Sequence, residues 1–239
     1  MVIDWSPGCL LRKQLCLDTL QAEAIRLRLQ PSSEPEEPRQ DISLPLVNLP
    51  VGLRIGDVQL GEFTIDGSSI WDQLELKASG SGTDWNLSRA VYRLGEMSVD
   101  ASGRLETRGP WPLDLDVNVD LPPPEGDQWQ IALNLTGSAE DLRVTGRSEG
   151  YLDARVQGRA APLQAYLPAR LMLQSDAFLA LETLPPTLTL ENWQLSLDGS
   201  LKDGFATRSS AELPGTAGPV RLSLVGELTT AGASGVTLE

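Results

Sequence analysis

From Leu113 to Leu121 the residues alternate without a break between apolar (Leu113, Leu115, Val117, Val119, Leu121) and polar (Asp114, Asp116, Asn118, Asp120). Side chains on a strand point to opposite faces in turn, so this segment is a β-strand with one dry face and one wet face. The same period returns at Ile25, Leu27 and Leu29, at Leu74 and Leu76, and at Trp129, Ile131, Leu133 and Leu135. It returns again at Leu142 and Val144, at Trp193, Leu195 and Leu197, and at Val220, Leu222 and Leu224. Turn and breaker signals stand between these runs, among them 80–82, Gly109-Pro110, 122–126, Gly137-Ser138, Pro185-Pro186, Asp198-Gly199 and Pro214-Gly215. Gaps this short suit hairpins and an antiparallel meander. Parallel pairing would need long crossovers, usually helical, and the pattern offers none. Only 161–167, bounded by Pro162 and Pro168, invites a short helical turn.

These signals divide the chain into a cysteine-bearing start with a first strand (1–30), a Pro- and Glu-rich loop (31–41) and one continuous β segment (42–239). Within that segment "WQIALNLTGSAEDLRVTGR", from Trp129, and "WQLSLDGSLKDGFATRSSAEL", from Trp193, share a tryptophan-led strand followed by a Gly-Ser or Asp-Gly turn. A repeated hairpin unit points to a quasi-linear stack.

An apolar sheet face must be covered, and helical covers are missing, which leaves a β-sandwich, a closed barrel or a sheet curled on itself. The sequence lacks the Cys, Trp and Cys spacing of an immunoglobulin-type sandwich, and aromatics make up only 5% of it. A curled sheet lined with leucine would leave an open apolar trough, unfavourable in water unless acyl chains or another apolar guest fill it. The candidate lining residues are Leu113, Leu115, Val117, Val119, Ile131, Leu133, Leu135, Leu142, Val144, Leu195, Leu197, Leu222 and Leu224. For each of them ordinary core packing is the competing explanation.

Charge narrows the function classes. With 19 Lys and Arg against 33 Asp and Glu, the net charge is -14, and the basic residues are scattered along the chain. Phosphate binding rests on clustered Lys and Arg, so nucleic acid is not an expected partner, and anionic membrane surfaces would repel the chain. Histidine is absent, which removes the commonest general base and metal ligand, so neither an enzyme nor a catalytic residue is expected. No cofactor is implied.

Cys9 and Cys16 could pair in an oxidising compartment, or remain reduced, half-buried thiols. Two thiols without histidine do not complete a zinc site, so no metal is expected. Asp114, Asp116, Asn118 and Glu125 fall at positions one, three, five and twelve of a calcium loop, but Val119 stands where that loop needs glycine. The alternating aspartates are better read as a solvated face that discourages edge-to-edge aggregation. The sequons Asn86-Leu-Ser88 and Asn134-Leu-Thr136 lie inside strand patterns, and the tryptophans pack strand ends without needing a ligand. No stretch is long and apolar enough for a membrane-spanning helix. Both ends look like cut points in a longer chain, and Leu238-Glu239 reads as a cloning remnant.

The start "DWSPGCLLRKQLCLDTLQAEAIRLRL" carries a tryptophan, two cysteines seven positions apart and then an alternating strand; further on comes "LPLVNLPVGLRIGDVQLGEFTIDG". Together these resemble the TamB family, the inner-membrane subunits of translocation and assembly modules, in the periplasmic region shortly after their membrane anchor. The hairpin repeats are shared with the wider AsmA-like, bridge-like lipid transfer group. The resemblance implies an all-β fold, an elongated curled antiparallel sheet (a β-taco) with an open hydrophobic groove. It implies a periplasmic segment of a protein anchored in the inner membrane, whose groove carries phospholipid acyl chains towards the outer membrane. The alternative it implies is a scaffold for assembling outer-membrane β-barrel proteins and autotransporters. In either case the partner is a TamA-like outer-membrane barrel protein, reached through parts outside this segment.

Overall fold

The structure, a computed structural model, describes residues 1–28, 41–124, 126, 128–179, 184–185, 188–216, 218–229 and 232–238. Leu29, loop residues 31–40, Glu125, Pro186 and Glu239 lie outside the described residues. The chain divides into two compact units, one of Met1–Pro38 with Ser43–Leu121 and the other of Arg39–Ile42 with Pro122–Glu239.

The first unit holds β1 (Val2–Trp5), β2 (Gln14–Leu27), β3 (Leu49–Ile65), β4 (Ser68–Trp71), β5 (Gln73–Gly82), β6 (Asp84–Leu94), β7 (Met97–Glu106) and β8 (Pro112–Leu121). They form a sheet in the order β1-β2-β3-β5-β6-β7-β8, with the short β4 paired onto the end of β3. Neighbours run antiparallel with one exception. β2 and β3 are parallel, from Gln14 opposite Gly52 to Leu27 opposite Ile65, against the expectation of antiparallel pairing throughout. The reason is chain length. A parallel crossover takes about a dozen residues or more, a length that 28–48 provides.

Ahead of β2 the chain makes a 3-10 turn, Pro7–Arg12, that the strand pattern did not reveal. Pro7 suits its first position because a helical N–H is unpartnered there, and Lys13 ends it at φ 54°. The turn brings Cys9 to Cys16, which is 1% exposed; the Cα atoms stand 6.0 Å apart.

The second unit holds β9 (Trp129–Ser138), β10 (Leu142–Gly150), β11 (Ala154–Ala160), β12 (Ala169–Phe178), β13 (Leu190–Ser200), β14 (Gly204–Leu213), β15 (Val220–Thr229) and β16 (Gly232–Leu238). These pair antiparallel in chain order. Residues 161–168 form turns rather than the expected helical turn: Ala161 N donates to Pro168 O (2.9 Å), and Tyr166 and Leu167 sit at φ 65° and 49°. The two prolines bound a chain reversal that needs left-handed backbone, which a helix cannot contain. Asp41 Oδ1 accepts from Ala165 N at 2.7 Å and pins residue 41 to this reversal.

In both units the fold is all-β, a curled open sheet of the β-taco kind. Among the described residues of each unit the strand path runs from first strand to last without returning, and they build neither a closed barrel nor a two-sheet sandwich.

Candidate functional site

Residues directly opposite one another in paired strands share a face, so the registers lay out each sheet's surface. In the first unit Leu17, Ile55, Ala78, Leu87, Gly103 and Leu115 form one row across the sheet. Beside it run Leu20, Val58, Leu76, Ala90, Ala101 and Val117, then Ala22, Leu60, Leu74, Tyr92, Val99 and Val119. Leu113 faces Leu105 at the margin. The four candidates of β8 therefore lie on a face that is apolar from β2 to β8.

Small residues stand among the large ones in these rows, and at Gly103 the backbone spacing requires it. A Cβ on Gly103, which adopts φ 144°, would come 2.2 Å from Asp114 O and 2.8 Å from Leu115 Cα. Crowding of this kind belongs on the tighter side of a curled sheet, where glycine lets a large neighbour lie flat.

The second unit repeats the arrangement. Leu133, Gly146, Val156, Leu173, Leu195, Ser209 and Leu224 form one row. Leu135, Val144, Gly158, Leu171, Leu197, Thr207 and Gly226 form the next. Ile131 faces Ser148, Leu142 faces Gly137 and Ala160, and Leu222 faces Ala211. All nine candidates of this unit share its apolar face. Leu171, Leu173 and Val156 belong there too and escaped the sequence reading. Met172, between the two leucines but turned to the other face and 42% exposed, masks their alternation.

Of the thirteen candidates Val144 alone is buried, at 8% exposure, and the rest are half-buried. A face sealed under a second layer would bury most of its leucines. Here the lining is aliphatic and partly accessible in each unit.

An aromatic border marks one end of the second unit's strands. Trp129 packs on Tyr151 (centroids 5.3 Å apart), Tyr151 on Phe178 (6.0 Å) and Phe178 on Trp193 (5.2 Å). Trp129 Nε1 donates to Ser148 Oγ and Trp193 Nε1 to Ser209 Oγ, both at 2.9 Å. Each indole thus keeps a partner while its ring covers the end of the apolar rows.

The opposite, polar faces differ between the units. In the first, bases meet acids: Arg54 with Asp18 (3.0 Å), Lys77 with Asp57 (3.6 Å) and Arg89 with Asp100 (3.2 Å). In the second, Arg143 is directly opposite Arg159, which is directly opposite Arg170, and Arg147 is opposite Arg155. The expectation that basic residues are scattered is therefore corrected for β10–β12. Strand register gathers into one patch what is dispersed along the sequence.

Among the described residues no helix is long and apolar enough to cross a membrane, and no group of three or more Cys, Asp or Glu is placed to hold a metal ion. The family model described as "TamB, N-terminal domain" matches residues 40–233. No solved structure matches the chain.

Proposed function

Because the chain belongs to the TamB family, matched through that family's N-terminal domain, we propose that its apolar faces shelter phospholipid acyl chains in the periplasm on their way to the outer membrane. One observation carries this reading: half-buried, largely aliphatic rows run from β2 to β8 and from β9 to β15, and among the described residues no second sheet covers them in either unit. Each CH₂ of a lipid tail removed from water contributes about 0.8 kcal/mol, and an aliphatic lining takes up that surface without fixing the tail at one point. Sliding, rather than capture, follows from a lining with so few polar contacts. No catalytic step is part of this role. In an oxidising periplasm the Cys9 and Cys16 sulfurs form a bridge that fixes the 3-10 turn against β2. The full-length protein is anchored in the inner membrane and meets a TamA-like barrel protein through parts outside this chain.

A second reading, a scaffold for assembling outer-membrane β-barrel proteins, is favoured by the edge of the first sheet. Among the described residues β1 pairs with β2 alone, and its Val2 and Ile3 are 56% and 55% exposed, so an incoming strand could add there. Native mass spectrometry of protein purified from cells, combined with photo-crosslinkers at Leu133 and Val2, separates the two. Bound phospholipid that disappears in Leu115→Asp and Leu133→Asp supports the conduit. Crosslinks to nascent barrel strands at Val2, with no lipid at Leu133, support the scaffold and overturn the conduit.

A further inference from the structure

Like charges directly opposite each other on paired strands destabilise a sheet, yet the polar face of β10–β12 carries two such sets. Arg143, Arg159 and Arg170 form the first, and Arg147 with Arg155 the second. On β9 the facing residues are Thr136 for Arg143 and Ala132 for Arg147, so no acid offsets the charge from that side. Two ion pairs touch the patch at its margins, Arg170 with Asp198 and Arg155 with Asp176, the latter 3.9 Å apart. All five arginines are exposed, in a chain whose net charge is -14.

We propose that this face binds phosphate groups displayed on an anionic lipid surface. Three features select that ligand. The patch contains Arg and no Lys, and the planar guanidinium fork matches a phosphate bidentately. It offers no cluster of aromatic or aliphatic anchors of the kind a protein partner would need, since the row between the two arginine sets is Thr145, Gln157 and a single apolar side chain, Met172. The sets are four residues apart along β10, roughly 13 Å at about 3.3 Å per residue, so a ligand engages both only if it presents several phosphates at once. Exposed single guanidinia hold a free ion weakly, whereas headgroups gather laterally beneath both sets. The site is separate from the proposed acyl-chain lining, which lies on the opposite face of the same strands.

Vesicle flotation tests the assignment. The full chain is mixed with phosphatidylcholine vesicles or with vesicles of phosphatidylcholine and phosphatidylglycerol, at low and high salt. The expected result is flotation with the anionic vesicles alone, lost at high salt. The variant Arg143→Gln/Arg159→Gln/Arg170→Gln weakens it by at least about tenfold. Removing opposed like charges leaves that variant's thermal midpoint unchanged or raised, which excludes misfolding as the cause. The control Arg54→Gln/Lys77→Gln/Arg89→Gln, equal in charge change but drawn from acid-paired positions, stays within about twofold of the wild type. The proposal is overturned by absence of flotation with anionic vesicles, by equal loss in the control, by flotation that survives the arginine substitutions, or by binding of inorganic phosphate without binding of vesicles.

Discussion

The indole of Trp85 lies over Gly80, its directly opposed neighbour across β5 and β6: a Cβ at position 80 would fall 2.8 Å from Trp85 Cδ2 and Cε3 and 3.1 Å from Leu49 Cδ1. Ring and glycine fit because glycine leaves the backbone surface bare. Gly80→Ala forces the ring or Leu49 to shift, and overpacking of this kind costs about 1–3 kcal/mol. Urea unfolding of the variant should show a lowered midpoint with an unchanged slope; an unchanged midpoint would mean the ring moves aside freely.

The same indole carries a second expectation. Trp85 Nε1 is buried and has no hydrogen-bond partner among the described residues. An unsatisfied buried donor costs about 1–3 kcal/mol, which Trp85→Phe removes while keeping most of the ring. That substitution should be neutral or stabilising in thermal unfolding, unlike the usual loss of a buried tryptophan. A fall of several degrees would show that Nε1 is bonded.

Thr107, 3% exposed just beyond β7, ties the non-strand segment before β3 to the sheet. Its Oγ1 donates to Val47 O at 2.6 Å, its backbone N donates to Thr83 O at 2.8 Å, and its O accepts from Val47 N at 3.2 Å. Thr107→Val deletes the hydroxyl and strands an acceptor. Hydrogen exchange should then quicken for amides in 44–49 and leave β13 and β14 as they were. Equal protection in both proteins would mean the backbone bonds suffice.

The Cys9 and Cys16 pair closes a short loop, for which the chain-entropy view gives about 2–3 kcal/mol of stabilisation. Cys9→Ser/Cys16→Ser should lose that amount, and reductant should lower the wild type's unfolding midpoint to the variant's. If reductant has no effect on the wild type, the bridge is not contributing.

What the sequence reveals of this fold depends on whether a strand keeps its parity. β8 runs unbroken beside β7, and its exposure alternates residue by residue as the pattern of Leu113 to Leu121 foretells. β3 does not. Its pairing with β5 slips between Ile55 and Val58, so Leu53 and Ile55 share a face with Val58 and Leu60, odd numbers with even. β6 slips likewise between Leu87 and Ala90. Each irregularity inverts the phase of the alternation, which is why the apolar lining of the first unit beyond β8 was not legible from spacing. The arginine patch was hidden for another reason. Arg143, Arg159 and Arg170 are remote in sequence, and only the registers of β10 with β11 and of β11 with β12 make them neighbours.

The parallel pairing of β2 with β3 also sets an order of events for a chain emerging from its N-terminus. Antiparallel neighbours can zip as soon as the second arm of a hairpin is made, as Val2–Trp5 can against Gln14–Leu27, but the other edge of Gln14–Leu27 gains its parallel partner only when Leu49–Ile65 has followed it. Closing that longer loop makes it a late contact. The nascent polypeptide therefore carries a strand with one open edge during synthesis, and the interval before docking is when a chaperone or a second nascent chain could seize that edge.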